Sequence, residues 1–182
     1  TKDNRTALFM SVNSGHLDVV NNLISLGRGS RKLDINKARE SDGATPLYLA
    51  AENGHINIVN ALIDNGADIN KAKNNGATPL YVAAEMGKDI IVNALINNGA
   101  DINKRRVNGA TPLYIAVENN NEEIVKTLIY NGADVMKGAG GWGSKVTPLQ
   151  RAIRYNYVNI VDILKKRINE INTDTCPEKF PI

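Results

Sequence analysis

Apolar residues in the middle of the chain recur in two short phases with a glycine between them. Leu47, Ala50 and Ala51 fall at the i, i+3, i+4 spacing of one helix face. After Gly54-His55, a second set follows at Ile58, Val59, Leu62 and Ile63. The pattern predicts a helix from Pro46 to about Asn53 and another over 56–65. Thr45 suits the N-cap of the first, because its hydroxyl accepts from a free amide of the opening turn. Pro46 at the first helical position loses nothing, since that amide had no partner. Gly54 and Gly66 supply left-handed stops, and Ala67-Asp68-Ile69-Asn70 leads into a polar turn at Asn74-Asn75-Gly76. The predicted order is helix, turn, helix, hairpin-like finger.

This unit repeats. Gly43-Ala44-Thr45-Pro46-Leu47-Tyr48 returns as residues 76–81 and again as 109–114, with Thr45, Thr78 and Thr111 spaced by 33 residues. Thr147-Pro148-Leu149-Gln150 follows after 36 residues, and Thr6-Ala7-Leu8-Phe9 precedes by 39, so five units fit with two local insertions. One pair of such short helices is marginal in water by itself. Stacking successive pairs buries a continuous core along a quasi-one-dimensional array.

The run G-x-TPLx-x-A, then Gly-His, then a helix ending in L-I-x-x-G-A-D-I-N, resembles the ankyrin repeat from about Asp3 to Asn172. The resemblance implies an all-α solenoid of stacked helix-turn-helix units with hairpin-like fingers over residues 1–172. Its repeats would span about 3–36, 42–71, 75–104, 108–137 and 144–172, with 173–182 a tail or linker. The copies depart from the family pattern in places. Its usual His after Thr-Pro-Leu is here Phe9, Tyr48, Tyr81, Tyr114 and Gln150. Asn120 and Asn156 replace the Gly of Gly-His, and Asn is the next-best residue for a left-handed backbone. The first unit has Ala7 where the others have Pro, and reads either as a degenerate cap or as one following removed repeats; Thr1, not Met, reads as a cut end. The fifth reads as a C-terminal cap, with Lys165-Lys166-Arg167 expected in its last helical turn.

Composition changes this picture little. The net charge of +3 argues against a polyanion binder of the histone kind, and no run approaches the length of a membrane-spanning helix. The single cysteine, Cys176, excludes an internal disulfide and fits a reducing, cytoplasmic setting, a host cell's if the source is a parasite, an intracellular bacterium or a large virus. Abundant Asn and Ile read as the codon bias of an AT-rich genome rather than as chemistry. The sequon Asn4-Arg5-Thr6 is too short a match to carry weight. His16 and His55 occupy equivalent turns without a third ligand, so no metal site is expected. Cys176 has no neighbouring His, and Gly138-Ala139-Gly140-Gly141 lacks the Lys-Ser/Thr of a phosphate loop. The expectation is a non-enzymatic chain without cofactor or small-molecule substrate.

In proteins of this family, partners meet the finger tips and the exposed side of each first helix, so the resemblance implies a protein-binding concave face. By register its candidates are Arg39, Asp42, Asn75, Arg105, Asn108 and Trp142 on the fingers. On the first helices they are Glu52, Asn53, Glu85, Met86, Glu118, Asn119, Arg154 and Tyr155. Glu52, Glu85 and Glu118 form an acidic row, and Lys71, Lys73, Lys104, Arg105 and Arg106 an expected basic row beside it; both rows equally describe a solvated face. Trp142 is either an interface anchor or a cover for the last unit. The basic insertion Arg28-Gly29-Ser30-Arg31-Lys32 is either an acidic-partner contact or a solvent loop. Nucleic acid is disfavoured, because the glutamates would repel phosphate. A second reading makes the chain the targeting module of a larger enzyme or host-directed effector.

Overall fold

The computed structural model describes residues 7–27, 33–140 and 145–174, which leaves the insertion at 28–32 and Cys176 outside it. Ten helices succeed one another there: α1 Ala7–Asn13, α2 Leu17–Gly27, α3 Pro46–Asn53, α4 Ile56–Asp64, α5 Pro79–Glu85, α6 Asp89–Asn97, α7 Pro112–Glu118, α8 Glu122–Tyr130, α9 Pro148–Arg154 and α10 Val158–Asp174. Among the described residues no helix is long and apolar enough to cross a membrane.

The threonine spacing produces matching rungs. Thr45 accepts from the Tyr48 amide at 3.1 Å, Thr78 from Tyr81 at 3.1 Å and Thr111 from Tyr114 at 3.2 Å. Thr147 closes a full capping box with Gln150. Proline follows each cap. Such a cap contributes about 1 kcal/mol. Asn120 and Asn156 adopt φ of 56° and 57°, as expected of residues standing in for glycine.

The odd-numbered helices stack in one row and the even-numbered helices in another, each pair packing within its unit. The short stripe expected for α3 is therefore too narrow. Every residue from Pro46 to Ala51 is buried, as are Pro79–Ala84 and Pro112–Val117, because a first helix is covered by its own partner and by both flanking first helices. The second helices bury one side only: Ile58, Val59 and Leu62 lie inside, with Ile63 half-buried. Leu62, Leu95, Leu128 and Leu164 form a fully buried column. Truncation of such a leucine to Ala costs about 2–5 kcal/mol.

Two hydrogen-bond ladders run between units. Along the fingers, backbone amides of Asn74, Val107 and Gly140 donate to carbonyls of Asp42, Asn75 and Asn108 in the preceding finger, at 2.9, 2.9 and 3.0 Å. Behind the second helices, Asn36, Asn70 and Asn103 each bridge to the next unit. Their amides donate to the Gly66, Gly99 and Gly132 carbonyls, and their oxygens accept from the Asp68, Asp101 and Asp134 amides at 2.7–2.9 Å. Asn65, Asn98 and Asn131 each donate to the carbonyl four residues back at 2.8 Å. The asparagines read above as codon bias thus recur in register with defined bonds.

The last helix also differs from expectation. α10 runs 17 residues to Asp174. Lys165-Lys166-Arg167 therefore lie within it rather than in its last turn, and the helix enters the segment expected as tail. Near its end Arg167 pairs with Glu170 at 3.1 Å.

Gly99 has φ of +86° with open space where a side chain would begin, so only backbone strain opposes substitution. Gly99→Val is expected to lose about 1–3 kcal/mol in urea unfolding, and Gly99→Asn markedly less. Asn70→Ala is expected to lose about 1 kcal/mol by removing both bridging bonds at an exposed site.

Candidate functional site

The fingers and the first helices share one face, and its side chains are ordered by the repeat. Tyr48, Tyr81 and Tyr114 are held at the third position after each cap, where they are buried between adjacent units. A cation covers each ring. Lys73 lies 5.2 Å from the centroid of Tyr48, and Arg106 5.7 Å from that of Tyr81; each comes from the finger of the next unit. In the third case the corresponding finger position is Ala139, and Arg151 of α9 takes over, 5.3 Å from Tyr114. Arg151 Nε also donates to the Tyr114 hydroxyl at 2.8 Å, and its other nitrogens reach Tyr155 Oη at 3.2 Å and Glu118 at 3.1 Å. Burial foremost pushes the Tyr48 hydroxyl well above its ordinary range and raises that of Tyr81, so they stay protonated.

This arrangement divides the expected basic row. Lys73 and Arg106 cover tyrosines. Lys71 turns the other way and donates to the Asn36 carbonyl at 2.8 Å. Arg105 binds backbone, with Nε on Gly109 O and a terminal nitrogen on Gly138 O, both at 3.0 Å, tying its finger to the next. Lys104 is exposed. Adjacent residues on a turn point in different directions, which a linear list of charges does not show.

Other finger candidates also have internal partners. Asp42 accepts from Arg39 Nε at 2.7 Å, from the Ala44 amide at 3.2 Å and from Lys73 at 3.0 Å. The side-chain oxygens of Asn75 and Asn108 cap their own turns through the Ala77 and Ala110 amides at 3.0 and 3.1 Å. These residues shape the fingers. Trp142 and its neighbour Ser144 lie outside the described residues.

On the first helices, Asn53 donates to Asn13 across units, and Asn119 donates to the Glu85 carbonyl at 2.8 Å. Met86 and Arg154 are exposed, and Tyr155 stacks on Tyr157 with centroids 5.7 Å apart. The three glutamates are not equivalent. Glu118 pairs with Arg151, whereas the half-buried Glu52 and Glu85 carboxylates make no ion pair or side-chain hydrogen bond among the described residues. Burial foremost raises the Glu85 carboxyl above its usual range, against the pull of Arg106, with Glu52 and Glu118 adding to the rise. Sequence register could place these residues on one face but could not reveal which glutamate lacks a partner. Next to α1 the same face opens into a groove of about 440 Å³, lined by Phe9, Met10, Asn13, Ser14, Arg39, Ser41 and Leu49.

Asp42 is the opposite case to Glu85. Its carboxyl is held well below the usual carboxylate range by Arg39 first of all, with burial opposing and Lys73 and the Ala44 amide assisting. A depressed folded-state value stabilises the fold fully above the unfolded aspartate value, near pH 4, and that contribution is lost as pH falls through the folded value. Asp42→Asn is expected to lose about 1 kcal/mol at pH 7. The gap from the parent chain should close steadily below about pH 4, as read by urea unfolding across pH.

No curated protein is found to match this chain. A model of the family described as ankyrin repeats (3 copies) matches residues 1–73, 71–139 and 108–175. With the capped threonines in matching rungs and the two rows of helices, the chain belongs to the ankyrin-repeat family.

Proposed function

We propose that this chain is a non-catalytic scaffold that binds a partner protein through the face formed by its first helices and fingers. Ankyrin repeats are generally protein-interaction modules and typically carry no catalysis, and this supports the reading at family level. The observation that carries it here is Glu85. A half-buried carboxylate with no ion pair among the described residues, pushed up by desolvation, weakens the fold at neutral pH compared with a neutral side chain. Flanked by Glu52 and Glu118 and bordered by exposed Met86, it presents, beside apolar surface, a carboxylate that no cation pairs directly among the described residues. Asn53, Asn119, Arg154 and Tyr155 continue the surface on either side. Arg39, Asp42, Asn75, Arg105 and Asn108 set the shape of the fingers that frame it. A compartment that keeps Cys176 reduced, such as the cytoplasm, suits the role.

The test combines affinity capture with mass spectrometry and unfolding. Replacing Glu52, Glu85 and Glu118 by Gln should reduce recovery of the partner at least about tenfold, the effect of roughly 1.4 kcal/mol. Glu85→Gln alone should leave stability at pH 7 unchanged or higher, because a folded value raised above the unfolded one means the charge opposes folding there. That difference should vanish as pH falls below about 4. Equal recovery of the same proteins by parent and triple variant would reject the assignment.

A further inference from the structure

Five of the six tyrosines are committed inside the stack, and one is not. Tyr48 and Tyr81 are buried, each under a cation from the next finger. The Tyr114 hydroxyl accepts from Arg151 Nε at 2.8 Å, and that of Tyr155 accepts from another nitrogen of the same guanidinium at 3.2 Å. The Tyr157 hydroxyl donates to the Glu118 carbonyl at 3.4 Å. Tyr130, the last residue of α8, is 90% exposed, and its hydroxyl makes no hydrogen bond among the described residues. Its counterparts in register are the polar Asp64, Asn97 and Lys166, so stacking does not call for a ring at this position.

Tyr130 borders a cleft of about 370 Å³ between α8 and α10. Ile129 and Ile163 line it with apolar surface, and Lys126, Lys166 and Arg167 bring three cations to it. Lys126 is paired with Glu122 and Glu123 at 2.7 and 2.8 Å, and Arg167 with Glu170 at 3.1 Å. Lys166 is exposed and has no ion pair among the described residues. The same interval lacks the bridge that runs behind the earlier second helices, because Met136 holds the position of Asn36, Asn70 and Asn103.

We propose that Tyr130 is a phosphorylation site whose phosphate is received by the cations of this cleft. Tyr130 Oη attacks the γ-phosphorus of a nucleoside triphosphate held by a protein-tyrosine kinase. The Oη–P bond forms as the bond to the β–γ bridging oxygen breaks; the nucleoside diphosphate leaves, and the phenolic proton passes to the kinase's base. The product carries a charge of about −1.5 to −2 and three acceptor oxygens. An anion at a helix C-terminus ordinarily opposes the dipole. A helical side chain, however, lies back over the turn before its own Cα, which carries the phosphate toward Lys126 and away from the terminal carbonyls. Cations of α8 and α10 then share it, across the interval where Met136 makes no bridge. Glu122, Glu123 and Glu170 compete for Lys126 and Arg167, so Lys166 supplies the decisive charge. Asn131 and Gly132, the latter at φ of +90°, end the helix directly after Tyr130 and leave the chain on that side outside regular helix.

The test incubates the folded chain with a broad-specificity tyrosine kinase and Mg-ATP and maps the phosphate by mass spectrometry. Tyr130 should carry nearly all of it, and Tyr130→Phe should abolish incorporation. Phosphorylation should raise the thermal midpoint by about 3 °C. Lys166→Ala should remove most of that rise while leaving the unmodified midpoint within about 2 °C. Phosphate on the other tyrosines of the folded chain, or none on Tyr130 where a peptide of residues 122–134 accepts it, would overturn the proposal. So would a midpoint that stays or falls on phosphorylation, or a rise that Lys166→Ala leaves intact.

Discussion

A helix of seven to nine residues does not persist alone in water, and the interior units are built from pairs of that length. What holds them is the burial of each first helix between the two that flank it. The caps and ladders depend on that seam. Thr45, Thr78 and Thr111 are almost fully buried, where an unpaired hydroxyl would be a liability and a paired one fixes the helix start. The asparagine bridges and the finger-to-finger amide bonds then lock the spacing that the apolar columns require.

The same stacking creates the candidate surface. Because units repeat in register, the tyrosines fall in a row, and a cation from the next unit covers each one. Where the finger offers Ala139 rather than a cation, Arg151 reaches the ring from a helix instead. Aromatic faces attract cations most when both are partly withdrawn from water. The glutamates are set between these cations without all being paired by them. Charge is therefore interleaved across the face rather than segregated into two rows.

The asparagines show how composition misleads when it is separated from register. Taken as a percentage they suggest nucleotide bias. Taken position by position, Asn36, Asn70 and Asn103 bridge units, and Asn65, Asn98 and Asn131 close helix ends. The clue was present in the Asp-x-Asn that recurs after α2, α4 and α6, but its partner lies in the next unit about thirty residues away. Arg105 is a similar case. Its place on a finger was readable, whereas its commitment to two carbonyls depends on a neighbouring turn.

From the amino acids alone came the period, the capped helix starts, the left-handed stops, the stacking and the family, because each rests on local chemistry repeated in phase. Only the tertiary structure decided which charges are paired, which way adjacent finger residues point, how far the last helix runs, and which tyrosine stands clear of its neighbours. The physical reason is the same throughout. Short-range preferences are set by a residue and its immediate neighbours, but exposure and pairing are properties of the gap between units, which no single unit contains.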